Sequence, residues 1–154
     1  MASIYTAFYD SPFGILKLEA NDEFLLSSYF VLEKDSKESK NYILKQAIKE
    51  LSMFFNRELD IFSLPLIYKE GFSGKALKEL AKIPFASTIS YKELAKRAGN
   101  EKASRAVARI ASKNPYTLIL PCHRVISSNK GLGGYSAPNG VELKKLLLEW
   151  ERDA

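Results

Sequence analysis

Ser90-Tyr91-Lys92-Glu93-Leu94-Ala95-Lys96-Arg97-Ala98-Gly99-Asn100-Glu101-Lys102-Ala103-Ser104-Arg105-Ala106-Val107-Ala108-Arg109-Ile110-Ala111-Ser112 reads as two short helices joined by a turn. Ser90 and Glu93 have the Ser-x-x-Glu spacing of a capping box, which satisfies N–H groups that a helix start leaves unpaired. Leu94, Ala95 and Ala98 fall inward, and Gly99 is a helix stop that has no Cβ to accommodate. Asn100 is expected to cap the second helix, where Ala103, Ala106, Val107, Ile110 and Ala111 repeat at helical spacing until Pro115 ends the run. Two short helices around such a turn form a helix-turn-helix signature. The opposite face carries Lys102, Arg105, Arg109 and Ser112. On a helix built from alanine and serine, this stripe would let the backbone approach a phosphate ribbon closely. By spacing alone, an ordinary solvated face is an equal reading.

Immediately downstream, Asn114-Pro115-Tyr116-Thr117-Leu118-Ile119-Leu120-Pro121-Cys122-His123-Arg124-Val125-Ile126 places the only cysteine and the only histidine of the chain side by side. A lone cysteine is most often an inert buried hydrophobe. It becomes a nucleophile as its thiolate, and a nearby imidazole or cation is the usual means of activating it. Adjacency alone does not decide between these readings, because neighbours on an extended strand point to opposite faces.

Upstream, Ile4 to Tyr9, Gly14 to Leu18 and Phe24 to Val31 are apolar pieces separated by Asp10-Ser11-Pro12 and Asn21-Asp22, a pattern of three antiparallel strands with tight turns. Phe8, Tyr9, Phe24, Tyr29 and Phe30 sit at strand spacing and are expected to pack the core. A charged segment from Glu33 to Lys40 closes this sheet. Ile43, Leu44, Ala47, Ile48, Leu51, Phe54 and Phe55 then form one helical face, with Ser39 or Asn41 as N-cap. The irregular stretch from Asp60 to Gly74 marks a boundary, dividing a scaffold domain, 1–68, from a helix-turn-helix domain bearing the cysteine, 69–154. The second part opens with a helix from Ser73, buried through Ala76, Leu77, Leu80 and Ala81. The chain ends in a helix from about Val141, packed through Leu143, Leu146, Leu147 and Trp150. Before that helix, the glycine-rich loop 127–136 lacks the endings of a phosphate or dinucleotide loop, so a flap is expected.

The chain has 154 residues, a formal charge of +5, one cysteine and one histidine. One cysteine excludes an internal disulfide, and one Cys with one His argues against a structural zinc site, so neither metal nor cofactor is expected. The opening residues lack a charged-then-apolar leader, and no apolar run reaches eighteen residues; a cytoplasmic protein without membrane contact is expected. The positive surplus suits a polyanionic partner.

Pro121-Cys122-His123-Arg124-Val125, with Asn114-Pro115 ahead of it, resembles the active-site signature of the O6-alkylguanine-DNA alkyltransferases, the methylated-DNA–protein-cysteine S-methyltransferases. The resemblance is strong over residues 84 to 154. It implies an α+β fold: a ribonuclease-H-like antiparallel sheet with a helix, then a mainly helical, winged-helix-like DNA-binding and active-site domain. It also implies a monomer that repairs double-stranded DNA containing O6-alkylguanine by single, irreversible transfer of the alkyl group to Cys122. O4-alkylthymine stays open as a second substrate.

By the same resemblance, His123 is the base that takes the thiol proton through a water, Glu151 orients the imidazole, and Asn114 braces the turn. Tyr91 and Arg105 act in flipping the damaged nucleotide out through the minor groove, with Ser104, Lys102 and Arg109 on the DNA-binding element. Tyr91, Val125, Tyr135, Ser136, Ala111 and Lys144 form the base pocket: the carbonyls of Cys122 and Val125 accept from the guanine amine, and the Ser136 N–H holds O6. Ala86 and Ala137 replace glycines common in the family. The loop from Tyr135 to Lys144 is two residues longer than usual, so a straight count from the cysteine would select Glu149, whereas the Leu147-Leu148-x-x-Glu spacing selects Glu151. Two rivals remain: a damage-sensing DNA-binding protein without chemistry, which the presence of Cys122 disfavours, and a cysteine hydrolase, which would need a second histidine.

Overall fold

Short polar turns between alternating apolar segments dictate a meander, and the computed structural model, which describes residues 3–129, 131–135 and 137–153, contains one. Strands β1 (Tyr5–Ser11), β2 (Gly14–Ala20) and β3 (Leu25–Val31) pair antiparallel in the order β1-β2-β3, with Ala7 opposite Leu18 and Leu16 opposite Phe30. Asn21 explains the second turn: its Oδ1 accepts from the N–H groups of Glu23 and Phe24 at 2.8 and 2.7 Å. Every second residue of β2, namely Leu16, Leu18 and Ala20, is fully buried.

Helix α1 (Tyr42–Phe55) starts at Asn41, whose Oδ1 accepts from the Leu44 N–H at 3.0 Å. Ser39 instead accepts from the Thr6 N–H, so the segment 33–40 lies along β1. Ile43, Leu44, Ala47, Leu51 and Phe54 are buried on the face of α1 that meets β1 and β2. Apart from Ala47, each such side chain contributes about 1.5–3 kcal/mol by leaving water, so this stripe holds the helix on the sheet. Tyr29 departs from expectation. It is 42% exposed, because the alternation that buries Ser28 and Phe30 turns Tyr29 outward. Glu50 is buried on α1, where its carboxylate accepts from the Ser63 N–H, the Ser63 hydroxyl and the Gln46 amide at 2.7, 2.8 and 2.7 Å.

The chain divides into two compact units, Met1–Ile67 and Tyr68–Ala154. The second contains α2 (Phe72–Leu80), β4 (Ile89–Ser90), α3 (Tyr91–Arg97), α4 (Ser104–Ser112), β5 (Val125–Ile126) and α5 (Gly140–Arg152). Helices α2, α3 and α4 pack on one another through Ala76, Leu77, Leu80, Leu94, Ala95 and Val107. Ser90 caps α3 as expected, accepting from the Glu93 N–H at 3.0 Å, while the Glu93 carboxylate engages Arg97.

Three details correct the sequence reading. Asn100 does not cap α4: its side chain accepts from Lys102 N–H, closing a separate turn, so α4 begins at Ser104 and Lys102 precedes it. Ala81 is exposed as the C-cap of α2. On α5, Leu146 is 41% exposed and the buried stripe is Leu143, Lys144, Leu147 and Glu151. No helix among the described residues is long and apolar enough to cross a membrane.

Candidate active site

Pro121 follows a tight bend at 116–120, and Cys122–Arg124 form a single 3₁₀ turn that leads into β5. That short strand pairs in parallel with β4, Ile89 against Val125 and Ser90 against Ile126, which brings the cap of α3, and with it Tyr91, beside the cysteine turn. Asn114 builds the approach to the turn. Its Oδ1 accepts from the Tyr116 N–H at 3.0 Å, and its Nδ2 donates to the carbonyls of Tyr116 and Leu120 at 3.2 and 2.9 Å. These bonds hold a tight bend in which Leu118 has φ +75°.

Cys122 is free, buried and 7% exposed. Burial pushes its thiol above the ordinary value, while the Asn114 side chain and the Lys144 charge pull the other way without prevailing. His123 is fully buried, and burial holds its imidazole below the usual range, against the hydrogen bond and charge of Glu151. Its Nε2 lies 2.6 Å from Glu151 Oε2. Burial would raise the Glu151 carboxyl, but bonds and charges from His123 and Arg124 outweigh it and hold the group at about 2. An anionic carboxylate beside a neutral ring places the ring proton on Nε2, which leaves the lone pair on Nδ1. Nδ1 is buried without a protein hydrogen-bond partner among the described residues, as is the Tyr135 hydroxyl. The Tyr135 ring stands edge-on to His123, with centroids 6.5 Å apart.

Sequence reasoning left Arg124 without a role. It is 4% exposed and donates from Nε and Nη2 to Glu151 at 2.9 Å each, and from Nη1 to the Ile83 carbonyl at 2.8 Å. The Ala86 N–H adds a fourth donor group to the carboxylate at 3.1 Å. The motif itself, a charged residue inside an otherwise apolar run, was the available signal. Glu149, the rival by straight counting, and Glu151 both line a groove of about 430 Å³ with Ala86, Thr88, Ile126 and Leu132, and the His123 contact is made by Glu151.

Lys144 is fully buried on α5 and donates from Nζ to the Val125 carbonyl at 2.6 Å, the Gly134 carbonyl at 3.3 Å and the Tyr91 hydroxyl at 3.4 Å. Burial lowers its ammonium to about 8, with the Cys122 charge acting in the opposite sense. Tyr91, Val125, Tyr135 and Lys144 thus share one neighbourhood with Cys122 and His123. Ser136 lies outside the described residues. Ala111 is buried on the inner face of α4, whereas Arg105 and Arg109 are exposed on its outer face, Lys102 is exposed ahead of it and Ser104 is half-buried at its start.

A profile of the 6-O-methylguanine DNA methyltransferase DNA-binding domain matches residues 71–153, more than half of the chain. The chain belongs to the methylated-DNA–protein-cysteine methyltransferase family. The relative so named from Methanosarcina acetivorans is 36% identical over 96% of this chain and 98% of its own length. A second methylated-DNA–protein-cysteine methyltransferase, from Metallosphaera sedula, is 36% identical over 93% of this chain and 90% of its own length. Among solved structures, the Mycobacterium tuberculosis O6-methylguanine methyltransferase superposes with a TM-score of 0.85 at 30% identity, covering 98% of this chain and 94% of its own. Mycobacterium tuberculosis OGT in complex with DNA superposes with a TM-score of 0.82 at 33% identity, covering 97% and 92%.

Proposed function

We propose that Cys122 is the alkyl acceptor of a methylated-DNA–protein-cysteine methyltransferase that repairs O6-alkylguanine in duplex DNA. The observation that carries this reading is the buried Glu151–His123 pair directly beside the one cysteine, with the imidazole neutral and its Nδ1 lone pair uncommitted.

The target atom lies inside the base stack, so the nucleotide must rotate out before reaction. Arg105 fills the vacated place and Tyr91 presses the flanking phosphate, while Lys102, Ser104 and Arg109 settle the helix-turn-helix in the minor groove. The small residues of α4 permit that close approach. In the pocket, the carbonyls of Cys122 and Val125 accept from the guanine amine, Tyr135 forms a wall and the Ser136 N–H holds O6. His123 Nδ1 takes the thiol proton through a bridging water, and Glu151 stabilises the imidazolium. The thiolate sulfur attacks the methyl carbon as the bond from that carbon to O6 breaks. Guanine leaves with the electron pair and is protonated, with Tyr91 assisting at N3. The product is a thioether with no second nucleophile to reverse it, so each molecule reacts once.

The reading calls on no metal or cofactor. It takes the protein as a cytoplasmic monomer and leaves O4-alkylthymine open as a second substrate. The finer fold assignments, ribonuclease-H-like for the first part and winged-helix-like for the second, rest on the β1-β2-β3 meander under α1 and on the β4–β5 pair flanking α3. Intact-protein mass spectrometry after mixing with a duplex containing one O6-methylguanine tests the proposal. One added methyl group on the Cys122 peptide, without turnover, is expected. An unchanged mass in protein that still binds the duplex overturns it and leaves a damage-sensing module.

A further inference from the structure

A buried ammonium is expensive unless its donors are satisfied. Lys144 satisfies its three donors on three different walls: the Val125 carbonyl from β5, the Gly134 carbonyl from the loop before α5 and the Tyr91 hydroxyl from α3. The shortest of these contacts, 2.6 Å, is made to the carbonyl assigned above to the guanine amine. An N–H donor of a flipped base and the lysine ammonium are therefore aimed at the same oxygen.

We propose that Lys144 is a specificity-determining residue that engages the Val125 carbonyl as an internal substitute for the guanine amine, so that an amine-bearing base must compete with it for that oxygen. This rests on the base-pocket reading above. The exchange replaces one N–H···O bond by another, which keeps a buried acceptor satisfied in both states. It also makes recognition of the amine weaker than an unoccupied carbonyl would give. A base without the amine leaves Lys144 where it is.

The groups facing the ammonium are Tyr91 from α3, and Cys122 and His123 from the cysteine turn. Of these, Cys122 is the one whose charge supports that of the lysine. Because burial lowers the lysine to about 8, its hold on the carbonyl weakens as pH rises through that value.

The test compares two duplexes, one containing O6-methylguanine and one containing O6-methylhypoxanthine, which lacks only the exocyclic amine. The quantity read is the ratio of protein concentrations giving half-maximal single-turnover transfer. Cys122 ionisation, which Lys144 itself influences, acts on both duplexes alike and cancels within each protein's ratio, while the different flipping costs of the two duplexes enter every variant alike and cancel when ratios are compared. Lys144→Met is expected to raise the preference for the amine-bearing base about tenfold, the scale of one hydrogen bond. The unaltered protein, carried from pH 7 to pH 9, is expected to move toward the same ratio while the variant stays flat; this arm holds even if the variant folds poorly. An unaltered protein whose ratio does not change with pH, together with a variant ratio equal to it, overturns the proposal while leaving alkyl transfer standing. Failure of the unaltered protein to react with either duplex overturns both.

Discussion

His123 Nε2 and Glu151 Oε2 lie 2.6 Å apart, and their side chains are 0% and 1% exposed. The two residues are 28 positions apart in the chain, so the pairing requires α5 to pack on the cysteine turn. Glu151 also neutralises Arg124, which makes it the centre of a buried network. Removing one partner from such a network leaves an uncompensated buried charge. Glu151→Gln is therefore expected to destabilise the protein by about 3 kcal/mol or more, read from its urea midpoint. In protein that remains folded, it is expected to slow single-turnover alkyl transfer by about 100-fold, the scale of a misplaced general base. Unchanged transfer would remove Glu151 from the mechanism.

The same carboxylate sets an acid limit. Its folded value, about 2, lies below the ordinary 4.5, so it contributes stability that is present above about 4.5 and is lost as pH falls toward 2. Urea midpoints measured across that window should fall steadily, and the slope should flatten in Glu151→Gln. An equal slope in the variant would assign acid sensitivity to other groups.

Ala86 has φ +64°, the left-handed region, while its N–H donates to Glu151. That conformation costs a residue with a Cβ about 1–2 kcal/mol, and glycine avoids it at a loss of about 0.4–1 kcal/mol through the freer unfolded chain. The strain outweighs the entropy. Ala86→Gly is expected to stabilise the protein by roughly 0.5–1 kcal/mol, visible as a higher urea midpoint with unchanged transfer.

Adjacent glycines in the loop before α5 have opposite requirements. A Cβ on Gly133, which has φ +72°, would collide with the Tyr91 hydroxyl and ring, whereas one on Gly134 would meet nothing within 4 Å. Gly133→Ala is expected to slow transfer by about 10- to 100-fold by moving Tyr91, and Gly134→Ala by less than about twofold, since the added methyl enters open space. Gly134→Ala should melt close to the parent, whereas Gly133→Ala should melt lower, because φ +72° costs a residue with a Cβ about 1–2 kcal/mol. Equal rates for the two would detach Tyr91 from catalysis.

Arg105 and Arg109 are both exposed on α4, yet distinct roles are proposed for them. Arg109→Ala is expected to weaken binding to damaged and undamaged duplex alike and to reduce the salt slope by about 0.9. Arg105→Ala should weaken binding to the lesion-bearing duplex more than to the undamaged one, since its work begins once a base has left the stack. Fluorescence anisotropy across a salt series separates the two. Matching losses on both duplexes for Arg105 would reduce it to a phosphate contact.

By itself, the sequence determined what depends on neighbours along the chain. The three strands, the Ser90 cap and the chemically loaded Pro121 to Val125 segment are local facts, written in turn residues, hydroxyl positions and apolar period, whereas the cap of α1 was open between Ser39 and Asn41 until the structure selected Asn41. The family signature was legible for the same reason. Even locally there were limits: Asn100 reads as the cap of α4, and the folded turn instead engages its side chain with the Lys102 N–H ahead of the helix. Tertiary structure alone decided what depends on burial across long separations. Leu146 and Lys144 both lie on α5, and hydropathy would bury the leucine and expose the lysine. The structure does the reverse, because Lys144 finds backbone carbonyls of Val125 and Gly134 and the Tyr91 hydroxyl within hydrogen-bond reach, a compensation that exists only once β5, α3 and α5 have come together. The Leu147-Leu148-x-x-Glu spacing had selected Glu151 over Glu149, but the contact itself is tertiary: residues two apart on a helix face different sides, and the packing of α5 on the cysteine turn brings Glu151 to the imidazole.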